Sequence, residues 1–136
     1  MNLKEQLIRD EGIVLKMYQD TVGKWTIGVG HNLDDKPISR RAAEIILEDD
    51  INDSIASLKT KLPWTEQLDE VRKAVLINMA FNMGIGGLLA FKKMLTACKS
   101  GNFKLAAKEM LDSKWKDQVG QRAFRLAKQM ETGEWQ

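Results

Sequence analysis

The sequence predicts an α+β fold: a small N-terminal β-hairpin lobe joined by a long helix to a larger helical lobe, with a cleft between them. Three observations predict it. Period-two alternation is confined to the N-terminal part, where Trp25, Ile27 and Val29 alternate with Thr26 and Gly28. A helical repeat then runs from Ala42 through Ile46, Leu47, Ile51 and Ile55 to Leu58, long for a chain of 136 residues. Beyond Thr65 the apolar residues recur at helical spacing, interrupted at Gly84, Gly86 and Gly87, at Ser100-Gly101 and at Val119-Gly120.

Each element has its own signals. Asn2 with Glu5 three residues on is a capping box, Leu3, Leu7 and Ile8 follow at helical spacing, and Gly12 is a stop, so Glu11 sits on the last turn of a short helix. Leu15–Asp20 and Trp25–Val29 are strands around a turn at Thr21–Lys24, with Asp20 closing the first strand and Thr26 inside the second. Gly28 and Gly30 allow close approach by a ligand or another segment. Asp34–Pro37 is a loop, and Ser39 caps the connecting helix, which ends near Leu62-Pro63. Thr65 is expected to cap the core helix, whose broad apolar face holds Leu68, Val71, Val75, Leu76, Met79, Ala80 and Met83. Three amphipathic helices follow at roughly 88–99, 103–112 and 121–131. The whole is expected to be one domain, with a small lobe of about 12–38, a connecting helix of about 39–62 and a helical lobe of 63–136 that includes the N-terminal helix 2–11.

Composition excludes several classes. An apolar fraction of 43% with 29% charged residues belongs to a globular chain, not a disordered one. The net charge is +2, with a balance of −2 over residues 1–65 and +4 over residues 66–136. A small imbalance of this kind is ordinarily a solvated surface, although a basic half could favour an anionic wall. Lys99, Lys104, Lys108, Lys114, Lys116, Arg122, Arg125 and Lys128 could suit a nucleic-acid-binding module. They spread over several helices interrupted by Glu109, Asp112 and Asp117, so no nucleic-acid partner is expected. The single cysteine, Cys98, permits no internal disulfide and reads as a small buried hydrophobe. One histidine and one cysteine make a metal site unexpected, and no cofactor is implied. The N-terminus lacks an apolar signal region and no run reaches membrane-span length, so no membrane insertion is expected and export would need another route.

The chemistry-bearing constellation is Glu11, Asp20 and Thr26 at the seam between the helix and the hairpin. Breaking an acetal bond requires a proton for the leaving oxygen and a negative charge or placed nucleophile opposite the developing oxocarbenium ion. Glu11 stands at a helix C-terminus beside Ile13 and Val14, where burial and the helix dipole would both oppose its charge, and is the candidate donor. Asp20 beside a turn is the candidate ionised partner, and the Thr26 hydroxyl could hold a water. Glutamates and aspartates are also common surface residues, and a spacing of nine has no intrinsic periodicity.

The stretch Arg9-Asp10-Glu11-Gly12, Tyr18-Gln19-Asp20-Thr21 and Trp25-Thr26-Ile27-Gly28-Val29-Gly30-His31 resembles the phage-type lysozymes, or endolysins. The likeness continues through Leu68–Ala74, Ile77–Gly84, Lys114-Trp115, Arg122-Ala123 and Thr132–Trp135, nearly the whole chain. It implies a lysozyme-like fold and a muramidase that cuts the β-1,4 bond between N-acetylmuramic acid and N-acetylglucosamine in peptidoglycan and so lyses cells. Glu11 would be the acid, Asp20 and Thr26 would position or activate the water, and the anomeric carbon would be inverted. Gly30, Asn32, Phe81, Asn82 and Arg122 would contact substrate, although an aromatic on the apolar face of the core helix, as Phe81 is, is more often core. His31 and Asp50 would form a structural ion pair. The resemblance also implies a monomer made in the host cytoplasm that reaches the periplasmic wall through a membrane opened by a holin partner.

Only seven residues, Asn32–Ile38, separate His31 from Ser39, where the family carries a longer insertion with a short extra helix, and Asn32 stands where a leucine is usual. The small lobe is therefore expected to be trimmed. The rival enzyme reading is a lytic transglycosylase, which needs mainly the glutamate; the presence of both Asp20 and Thr26 argues against it. A non-catalytic lysozyme-fold or basic binding protein is the other alternative, against which the intact triad argues.

Overall fold

Residues 1–136 are all described in the computed structural model, and the first helix shows how local chemistry sets its limits. In α1 (Leu3–Glu11) the Asn2 side chain accepts from the Glu5 amide at 2.9 Å while Glu5 accepts from the Asn2 amide at 3.1 Å, a complete capping box. The helix stops at Gly12, where φ is +76° and the amide donates to Ile8. A three-stranded antiparallel sheet follows in the order β1 (Val14–Gln19), β2 (Trp25–Gly28) and β3 (His31–Asn32). Val14 pairs with Gly28 and Tyr18 with Thr26, with a bulge in β1 between Val14 and Tyr18. The two-residue β3, which pairs Ile27 with His31 and Thr26 with Asn32, is too short to leave an alternation pattern and is absent from the sequence expectation.

The helix α2 (Arg40–Lys61) begins after Ser39, whose Oγ accepts from the Ala42 amide at 3.1 Å, and ends before Pro63. A short 3-10 turn, Pro63–Gln67, comes next. Thr65 belongs to this turn, its hydroxyl donating back to the Leu62 carbonyl at 2.7 Å, so it does not cap the core helix as expected. Asp69 is the cap of α3 (Glu70–Leu89), accepting from the Arg72 amide at 3.0 Å. Gly84, at φ +77° and ψ 162°, is non-helical and breaks α3 into two helical segments across a kink, as the glycine there predicts. Then come α4 (Lys92–Lys99), α5 (Phe103–Leu111), the six-residue α6 (Lys114–Val119), which carries no resolvable period of its own, and α7 (Gln121–Thr132).

The chain divides into two compact units, Met1–Ile46 and Leu47–Gln136. The N-terminal helix falls in the first of these with the sheet, and none of its residues is buried. In the first unit Thr26 alone is buried. The second holds the hydrophobic core, built on Leu58, Val75, Leu76, Met79, Leu88 and Met94 with Met110 and Met130. Arg72 ties this core together: it donates to the Met130 and Glu131 carbonyls at 2.7 and 3.0 Å, satisfying the end of α7, and lies 3.8 Å over the Phe103 ring. Cys98 is fully buried, as its apolar surroundings predict. Burial pushes its thiol pKa up to about 11, with Arg72 pulling down and Asp69 pushing up to lesser extents. No single helix is long and apolar enough to cross a membrane.

Candidate active site

In the first unit, the strand–turn geometry places each of the three candidate side chains. Glu11 is the last residue of α1, and its Oε2 lies 3.0 Å from where a β-carbon on Gly30 would stand. Gly30 turns the chain from β2 to β3 at φ +65°, so its missing side chain serves both the turn and the carboxylate lying over it. Burial is not what distinguishes Glu11. It is exposed, as are Ile13 and Val14, because the chain leaves α1 along an edge strand whose apolar residues find no buried partner. The expected apolar surround of the proton donor is therefore absent.

Asp20 closes the β1–β2 turn. Its Oδ1 accepts from the amides of Val22 and Lys24, each at 2.9 Å, while its own amide donates to the Lys24 carbonyl at 2.9 Å. One carboxylate oxygen thus holds the turn and Oδ2 carries no hydrogen bond within the protein. Thr26 is 4% exposed, and its hydroxyl donates to the same Lys24 carbonyl at 2.9 Å. With its proton so committed, Oγ1 can only accept from anything else that approaches. Asp20 and Thr26 are therefore both fastened to residue 24 and offer two acceptor atoms.

The shortened loop is tied to this turn by hydrogen bonds from Trp25 and Lys24. Asn32 Oδ1 accepts from the Asp34 and Asp35 amides at 3.0 and 3.1 Å, and its Nδ2 donates to Asp35 at 2.8 Å, so the side chain proposed for substrate contact is engaged at both ends. Asp34 Oδ2 accepts from the Trp25 amide at 2.7 Å. Asp35 pairs with the Lys24 ammonium at 3.2 Å, and that hydrogen bond, more than any other influence, raises the lysine pKa above its ordinary value. His31 Nε2 lies 3.0 Å from the Lys36 carbonyl. Asp50 is exposed on α2.

In the second unit, Phe81 is 41% exposed, which removes it from the core and leaves it free for a ligand. It lines a groove of about 690 Å³ with Asn78, Arg122 and Trp135. Asn82 Oδ1 accepts from the Trp115 indole at 2.9 Å, leaving its amide nitrogen free. Arg122 is fixed by Asn78, whose Oδ1 accepts from Nε at 3.0 Å and from Nη2 at 2.6 Å. Sequence reading did not identify Asn78, Trp115, Lys24 or Asp34 as supports. The Asn32/Asp34/Asp35 spacing is a legible turn signal. The Arg122–Asn78 pair spans 44 residues and leaves no local trace.

Set against known proteins, residues 9–131 match the family model described as phage lysozyme. The chain is 33% identical to "Probable T4-type lysozyme 1" of Dictyostelium discoideum, covering 97% of this chain and 95% of that protein. It is also 33% identical to the "Endolysin" of Acyrthosiphon pisum secondary endosymbiont phage 1, covering 79% and 72%. The same identity holds to the "Pre-baseplate central spike protein Gp5" of Enterobacteria phage T4, where 98% of this chain matches 28% of that protein. The alignment with the first spans 161 positions, more than the 136 residues available, so that relative carries residues this chain lacks.

Proposed function

The chain belongs to the phage lysozyme family and is a glycoside hydrolase of the lysozyme kind, and we propose that it is a muramidase that hydrolyses the β-1,4 bond from N-acetylmuramic acid to N-acetylglucosamine in peptidoglycan, lysing the cell. The observation that carries this reading is the pair of unclaimed acceptors, Asp20 Oδ2 and Thr26 Oγ1, fastened to one residue. A water that donates one hydrogen to each presents its lone pair as a nucleophile. Glu11, protonated, delivers its proton to the glycosidic oxygen; the water attacks the anomeric carbon and loses its proton to Asp20. The sugar carbon is inverted, because the water enters opposite the leaving group. Solvent then returns the proton from Asp20 to Glu11. Hydrolysis leaves a reducing end, whereas a transglycosylase, which uses no water, would leave an anhydro sugar.

Phe81, Asn82 and Arg122 are assigned to substrate in this reading, Phe81 as an apolar platform and the other two through the amide and guanidinium nitrogens that remain free. Passage to the wall is assigned to a holin-type pore. The test is turbidity of Gram-negative cells with the protein added outside. Permeabilised cells clear with the wild type and not with Glu11→Gln, intact cells clear with neither, and the released glycans end in reducing sugars. Equal clearing by Glu11→Gln would remove Glu11 from the acid role, and anhydro products would remove the positioned water.

A further inference from the structure

We propose that Asp34, in the shortened loop, is a positioning residue for the hydrolytic water and acts through the Lys24–Trp25 peptide group. The inference rests on the reading of Asp20 and Thr26 as the water-holding pair. The Lys24 carbonyl and the Trp25 amide are two ends of one planar unit. The carbonyl end takes the Thr26 hydroxyl at 2.9 Å and the Asp20 amide at 2.9 Å. The amide end gives its hydrogen to Asp34 Oδ2 at 2.7 Å. A plane held at both ends cannot rotate about its flanking bonds, and such rotation would swing the carbonyl away from Thr26. The Asp34 carboxylate also polarises the peptide, which strengthens the carbonyl as an acceptor and orders the Thr26 proton more firmly. The hydroxyl lone pairs then keep one direction.

The anchor is itself anchored. Asn32 receives the Asp34 and Asp35 amides on one oxygen, setting the loop conformation that aims Asp34 at the hairpin. Lys24 and Asp35 add a second tie on the exposed side, but a solvent-facing pair of this kind contributes little. The carboxylate-to-amide bond therefore carries the positioning. On this account the trimmed loop holds the water-binding turn in place in a small unit with almost no buried side chains.

The test uses the full chain on soluble, uncross-linked glycan strands, with reducing ends measured for Asp34→Ala, Asp34→Asn and Asp20→Ala. Asp34→Ala is expected to lower kcat by about ten- to a hundredfold, the range attached to misplacement of a reacting group by up to an ångström, with KM within about twofold. Asp34→Asn keeps an oxygen that can accept from the Trp25 amide and is expected to recover kcat to within about threefold of wild type. If Asp34→Ala does not fold, Asp34→Lys withdraws the acceptor, because an ammonium only donates, while keeping this exposed loop position polar, and the same fall is expected. Wild-type kcat in Asp34→Ala beside an inactive Asp20→Ala overturns the positioning role alone. So does a fall in kcat that Asp34→Asn does not restore, or a loss confined to KM. Full activity in Asp20→Ala overturns the water-holding reading on which the role depends.

Discussion

Two glycines of the small unit separate backbone strain from catalytic placement. Gly28 and Gly30 both have a positive φ, at +69° and +65°. A β-carbon on Gly28 meets nothing within 4 Å, whereas one on Gly30 comes to 3.0 Å from Glu11 Oε2 and 3.4 Å from its carboxyl carbon. Alanine at either position places an L-residue in the left-handed region, which costs about 1–2 kcal/mol. Both variants should melt lower by similar amounts, roughly 3–6 °C for a chain of this size. Only Gly30→Ala should disturb Glu11. Relief of the contact to an ordinary separation moves the carboxylate by about 0.4 Å, and if a full ångström is worth about a hundredfold, the loss in turnover is about five- to tenfold. Thermal melts and reducing-end assays on the same two proteins read both quantities. Equal turnover in the two variants, with equal melting temperatures, would refute the placement of the proposed acid, Glu11, over Gly30.

Two further outcomes follow from the same structure. The buried Cys98 thiol should resist an aromatic disulfide reagent until the helical unit unfolds, and immediate reaction in the native protein would contradict its burial. Its pKa of about 11 lies above the ordinary 9.0, so the thiol's contribution to stability is complete below pH 9 and is lost as pH rises toward 11, by roughly 2–3 kcal/mol in total; urea melts of wild type and Cys98→Ala across that window should converge with rising pH.

What was legible in the sequence was local. Asn2 with Glu5, Ser39 before its helix, and Gly12 after α1 each act within one turn of chain, and each performs its predicted task. Asp69 and Thr65 show the limit. Both precede a helical pattern, but Pro63 starts a 3-10 turn that takes up the Thr65 hydroxyl and leaves the capping role to Asp69. The α+β class was legible because the alternating stretch and the helical repeats occupy separate parts of the chain. For the candidate site, residue identities came from the motif, and the environment did not. The apolar letters beside Glu11 suggested burial, yet Ile13 and Val14 are themselves exposed. Asn32 looked available to a ligand, but nothing in its own position reveals that the Asp34 and Asp35 amides fold back onto it. Phe81 looked like core by periodicity, and its exposure depends on how neighbouring helices are disposed.

With Thr26 as its one buried residue, the first unit owes its order to hydrogen bonds rather than to interlocked side chains. That makes it tolerant of editing. Removing a segment from a packed interior leaves a hole, whereas removing one from a hydrogen-bonded turn requires only that the freed amides find new acceptors. The short run from Asn32 to Lys36 supplies such acceptors from three polar residues, Asn32, Asp34 and Asp35. Length in this part of the molecule can therefore drift over evolutionary time, or be changed by an engineer seeking a smaller lytic enzyme, provided that each shortened version keeps a carboxylate within reach of the Trp25 amide.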